Sequence, residues 1–157
     1  MKSLYLLLLA VLIGVELALG VLVAPVIFYP QSIIGDGVLT HFQSGQMMAQ
    51  IFVKFNYFLL VVSIFALVYE VFFAATSKAK FALKLSSFML ALINLMIALS
   101  FIYYCTPYIL QAQALGEAAT KTTEFLQVHK ASEYEMKLMM VIQLLLFFIK
   151  FPREARA

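Results

Sequence analysis

A chain of 157 residues with 64% apolar and only 12% charged residues has too little polar material to cover a water-facing surface, so water is not its main solvent. The net charge of +3 does not indicate nucleic acid, because the basic residues are scattered around apolar blocks and form no stripe interleaved with aromatics. Strands of a transmembrane barrel alternate in polarity, whereas Leu6–Leu9 and Leu144–Ile149 are continuously apolar, which leaves an all-α integral membrane fold.

A helix needs about 20 apolar residues to cross the hydrocarbon core of a bilayer. Four blocks approach that length, roughly 4–28, 51–75, 81–104 and 134–151, and predict one transmembrane domain over residues 1–157, an antiparallel four-helix bundle. Block one begins after Lys2 and contains Ala18-Leu19-Gly20, small residues at a signal-peptidase spacing, but it runs unbroken to Phe28 and is expected to be a retained span. Pro25 and Pro30 bracket its end, and Gly35-Asp36-Gly37 is a turn whose aspartate is placed to cap the next helix. From Val38, with His41, Gln43, Gln46 and Gln50, a polar approach helix leads into the second span. Thr76–Lys84 is a short basic turn that makes the second and third spans a hairpin. Pro107 marks an end or kink of the third span, Gly116 breaks the chain, and Glu117–Lys137 has helical composition continuous with the fourth. Each half thus has a span ending near proline, a polar segment with one histidine and a second span, an arrangement compatible with chance or with a weak internal duplication.

Lys2, Lys78, Lys80, Lys84, Lys150, Arg153 and Arg156 flank one set of helix ends, against Lys54, Lys121, Lys130 and Lys137 on the other. The positive-inside rule places the richer set, and both termini, in the cytoplasm, with the inner (plasma) membrane as the expected location.

Counting inward from the block ends puts Glu16, Ser63, Asn94 and Gln143 at one depth near the bilayer centre. Small and polar residues extend each into a stripe: Gly20 and Ala24 above Glu16; Asn56, Ala66 and Glu70 with Ser63; Ser87, Ala91 and Ala98 with Asn94; His129, Ser132, Met136 and Met139 with Gln143. Such stripes mark facing surfaces of membrane helices. An acid at the bilayer centre costs about 2.5–3.5 kcal/mol on insertion scales, and no Lys or Arg shares the depth of Glu16, so it is expected to be protonated and bonded to Asn94 or Gln143. A polar clamp that fixes helix register and a proton or cation site both satisfy that pattern. Glu70, nearer the cytoplasmic end, is expected to pair with Lys78 at the interface.

The two histidines, His41 and His129, fall on the outer side. His129, Glu133 and Met136 share a helix face, and imidazole with thioether suits copper while paired histidines suit haem iron. Interfacial histidines and filler methionines are the plainer alternative. The single Cys105 cannot form an internal disulfide, and no phosphate loop, paired-cysteine metal site or nucleophile elbow occurs, so a conventional enzyme is not expected.

The run Gly20 to Ala24-Pro25-Val26-Ile27-Phe28, followed by Phe42-Gln43-Ser44-Gly45, Ile51-Phe52 and Phe125-Leu126-Gln127-Val128-His129-Lys130-Ala131-Ser132, resembles the uncharacterised bacterial family similar to transmembrane protein 205. Glu133–Met136 departs from the asparagine expected there. The resemblance implies four spans and kinship with copper-resistance-protein-D-like membrane proteins, some of them haem-associated, and its eukaryotic branch is associated with tolerance of platinum drugs. The resulting expectation is a small transport or metal- or ion-handling protein. The alternatives are a structural or assembly subunit, bound to a membrane-protein partner or to a second copy, and a haem-associated redox protein.

Overall fold

The computed structural model describes residues 1–151 and is all-helical over them. The expected cytoplasmic charges Arg153 and Arg156 lie outside the described residues. Three long helices have the length and apolar character to cross a membrane: α1 (Lys2–Phe28), and, beyond a one-turn helix α2 (Gln31–Ile34), α3 (His41–Thr76) and α4 (Phe81–Ala114). The last helix, α5 (Thr123–Lys150), is also long, but it is not among them. Glu133, Glu135 and Lys137 occupy its middle, so only its final turns are continuously apolar apart from Gln143. The reading of 134–151 as a fourth span therefore lacks the length-and-composition support that the other three have.

The turn chemistry is local. Gly35 and Gly37 take φ of 87° and 74°, a region that side chains with a Cβ avoid. Thr40, and not Asp36, caps α3: its hydroxyl accepts from the Gln43 backbone N–H while the Gln43 side chain accepts from the Thr40 N–H, a reciprocal capping box. The approach segment and the second span are therefore one uninterrupted helix. Gly116, with φ of 103°, turns the chain after α4, and Thr122 caps α5 by accepting from Phe125 N–H.

Proline acts twice in the same way. A π-helical turn occupies Leu19–Val23 just before Pro25, and another occupies Phe101–Cys105 just before Pro107. Proline offers no N–H and crowds the carbonyl four residues back, and one extra residue in the turn relieves both effects while rotating the helix beyond it. Of the two readings of Pro107, an end or a kink of the third span, the end does not occur, since the helix continues to Ala114.

Leu12, Leu59, Val62, Ala98 and Met139 belong to one apolar core cluster, and Leu9, Ala66, Ala91, Ile142 and Leu146 to a second nearer Tyr5. Along each of the four long helices, the central polar residue falls between or beside these two clusters. The opposite faces carry exposed Leu7, Val11, Val61, Val68, Ile93 and Met96, an apolar exterior suited to lipid contact.

Candidate functional site

Glu16, Ser63, Asn94 and Gln143 come from four different helices and meet in one chain of hydrogen bonds. Gln143 Nε2 donates to Glu16 Oε1 at 2.9 Å and lies 3.4 Å from Asn94 Oδ1, and Asn94 Nδ2 donates to Ser63 Oγ at 3.2 Å. All four side chains are buried. Glu16 Oε2 and Gln143 Oε1 have no hydrogen-bond partner among the described residues, which is costly in a dry interior and leaves capacity for a proton or a ligand.

A second polar cluster, one that sequence reasoning missed, closes the end of the molecule where the chain begins. Glu70 is fully buried; its Oε1 accepts from Tyr5 OH at 2.9 Å, and its Oε2 accepts from Ser87 Oγ at 2.7 Å and lies 2.8 Å from Lys150 Nζ. The ammonium also sits 3.1 Å from the centroid of the Phe73 ring, and Tyr5 stacks on Tyr69 at 4.1 Å. Glu70 therefore pairs with Lys150 inside the helix packing and not with Lys78 at an interface. The signal was present in the Glu70, Ser87 and Tyr5 positions, but Lys150 looked like a terminal topology charge because its long stem gives no hint of folding inward.

Around the second π turn lies a third set. Asn56 Nδ2 donates to Thr106 Oγ1 at 3.0 Å, and that hydroxyl donates to the Phe101 carbonyl at 2.9 Å. Glu135 accepts from Ser100 Oγ at 2.8 Å and from the Cys105 thiol at 3.5 Å. These contacts satisfy backbone and side-chain groups at the irregular turn and bring an acid of α5 against α4.

From the central chain outward the helices part. A cavity of about 710 Å³ has Glu16 at its inner end, Phe52, Phe101 and Met136 along its walls, and His41 and His129 near its mouth. A smaller one of about 370 Å³ crosses the same region past Pro25 and Tyr29. The four residues named as metal-ligand candidates all border this space. His129 Nε2 stands 3.6 Å from Glu133 Oε1, and its ring stacks on Phe125; His41 packs its ring 5.1 Å from that of Phe28; Met136 lines the wall below. Among the described residues no group of three or more His, Cys, Asp or Glu side chains is arranged to hold a metal ion.

The charges at the mouth are mostly matched. Lys121 Nζ is 2.7 Å from Glu117 Oε1, and Lys137 Nζ is 3.6 Å from Glu133 Oε2, both one helical turn apart. Chemically the site is an apolar pocket with a self-neutralised rim and one acid at its inner end.

Comparison with curated proteins and with solved structures returns no match to the chain. The sequence profile of a domain of unknown function, DUF4149, matches residues 7–118, which takes in α1, α3 and α4 with their connections and well over half of the sequence, so the chain belongs to that family.

Proposed function

We propose that the chain is a small membrane transport or ion-handling protein, a four-span antiparallel bundle of the inner membrane with cytoplasmic termini, in which Glu16 is the proton- or cation-responsive group. The observation that carries this reading is the cavity of about 710 Å³ ending on a buried acid with an unpartnered oxygen. A clamp that only sets helix register needs neither the space nor the spare oxygen. An acid inside membrane-spanning helices is expensive and is tolerated where it faces a cavity or a partner. The stretches that resemble the family similar to transmembrane protein 205 support the same site, because Gly20, Phe28, Phe42, Gly45, Phe125 and His129 all line it. The shared polar layer supports a fourth span, because Gln143 of α5 bonds to Glu16 and lies beside Asn94. Its charged middle, Glu133 and Lys137, then borders the cavity and meets water there.

The test is proton release. Protein in vesicles holding a pH-sensitive dye is exposed to a panel of cations from sodium and copper(I) to tetraphenylphosphonium. At least one cation is expected to displace protons from wild type and none from Glu16→Gln. Equal responses of the two proteins, or no response to any cation, would remove Glu16 from the mechanism.

A further inference from the structure

The cavity is also a seam. Its α1 wall is Leu17, Gly20, Val21, Ala24 and Phe28, and its α5 wall repeats at the same helical spacing through Leu126, His129, Glu133, Met136 and Met140. Up to Ala18, α1 packs on both α5 and α3, whereas beyond the π turn Ala24–Phe28 keeps its packing on α3 and no longer packs closely on α5. The two helices that touch at the polar layer therefore part outward of it. From Leu17 to Phe28 the seam runs about 16 Å at the helical rise, close to the depth of one leaflet, since the hydrocarbon core is about 30 Å thick.

Its two edges differ in chemistry. Leu17, Val21 and Leu126 line the cavity and are each about half exposed or more, at 46%, 66% and 54%, so the apolar edge is continuous with the lipid-facing surface. The α5 side presents His129, Glu133 and Lys137. No glycine contact closes the gap: a Cβ built on Gly20 would meet nothing within 4 Å. Lys121 and Lys137 are each matched by a glutamate, which leaves Glu16, more than nine-tenths buried, as the acid at the cavity with no basic partner among the described residues.

We propose that the solute of this site is an amphiphile with a cationic head, an alkylammonium, which enters sideways from the outer leaflet between α1 and α5. The head follows the polar edge of α5 to Glu16 while the alkyl chain stays between Leu17, Val21 and Leu126 in contact with lipid. This proposal rests on the reading of Glu16 as the cation-responsive group, and adds the route and the class of solute.

The chain contains no tryptophan, so a single introduced one reports its own surroundings. Met136→Trp places it on the cavity wall, and Tyr57→Trp places it on the exposed face of α3, where it reads bulk partitioning into the membrane. In nanodiscs, dodecyltrimethylammonium is expected to change Met136→Trp emission saturably at concentrations at least about tenfold below any change at Tyr57→Trp. Tetramethylammonium, the same head without the chain, should be at least about tenfold weaker, and adding Gly20→Leu or Glu16→Gln should each weaken the alkylammonium at least about tenfold. Equal binding of tetramethylammonium, or indifference to Gly20→Leu, would refute the lateral route while leaving Glu16 in place. Indifference to Glu16→Gln would refute both readings, and equal binding of dodecyl sulfate would refute the cationic head. If Met136→Trp disturbs the fold, proton release from the unaltered chain on adding the two ammonium ions gives the same comparison.

Discussion

Removing the carboxylate of Glu70 is expected to be among the most damaging single changes available in this protein. The side chain is 0% exposed and holds Tyr5, Ser87 and Lys150 at once, the last at 2.8 Å and itself only 5% exposed. Glu70→Ala strands a buried ammonium and two hydroxyls, and breaking a buried ion pair from one side typically costs about 3–5 kcal/mol. The Phe73 ring under the ammonium offsets part of this, of the order of 1 kcal/mol, so a loss of about 2–4 kcal/mol is expected. Glu70→Gln keeps one acceptor oxygen, so one of the two hydroxyls loses its acceptor, and should fall between Ala and wild type. The double variant Glu70→Leu/Lys150→Leu should recover the part of the loss due to the stranded ammonium, because apolar residues of similar volume commonly replace a buried pair at little cost, while the two hydroxyls stay without their acceptor. The matched control is Glu117→Ala, whose partner Lys121 is 72% exposed and whose loss should cost less than about 1 kcal/mol. Reversible unfolding in mixed micelles, followed by far-ultraviolet circular dichroism, measures all four. If Glu70→Ala costs no more than Glu117→Ala, or if the double variant is as unstable as the single one, the buried-pair reasoning is wrong.

Two further outcomes follow from the sequence and the caps. Cys105 is buried and is expected to stay unlabelled by impermeant reagents, so Lys80→Cys should be protected and Thr122→Cys labelled from outside intact cells, and the reverse pattern would reject cytoplasmic termini. Thr40→Ala removes one half of a capping box and should lower stability by about 1 kcal/mol, with Thr40→Asn close to wild type; equal losses for both would show that the hydroxyl does not act as the cap.

Much of the central site could be read from the chain because one-dimensional position encodes depth when a helix crosses a slab. Counting from block ends was enough to pick Glu16, Ser63, Asn94 and Gln143, which the fold links by hydrogen bonds. The same counting misjudged Lys150, since a flexible stem of four methylenes lets a terminal charge turn either to water or back into the packing. It also placed a cap at Asp36, where the choice between Asp36 and Thr40 depended on which residue the Gly37 turn leaves at the helix start. The contact of Glu135 with Ser100 and Cys105 depends on how the π turn before Pro107 rotates α4, which no spacing rule supplies.

By itself, then, the sequence determined the helical class, the membrane as solvent for α1, α3 and α4, and the turn positions, all of which depend on composition and local geometry. Only the tertiary structure decided what those residues meet. Whether Glu70 faces Lys78 or Lys150, and whether α1 and α5 close or part above Glu16, depends on helix rotation, and a five-residue π turn before Pro25 resets that rotation for everything beyond it.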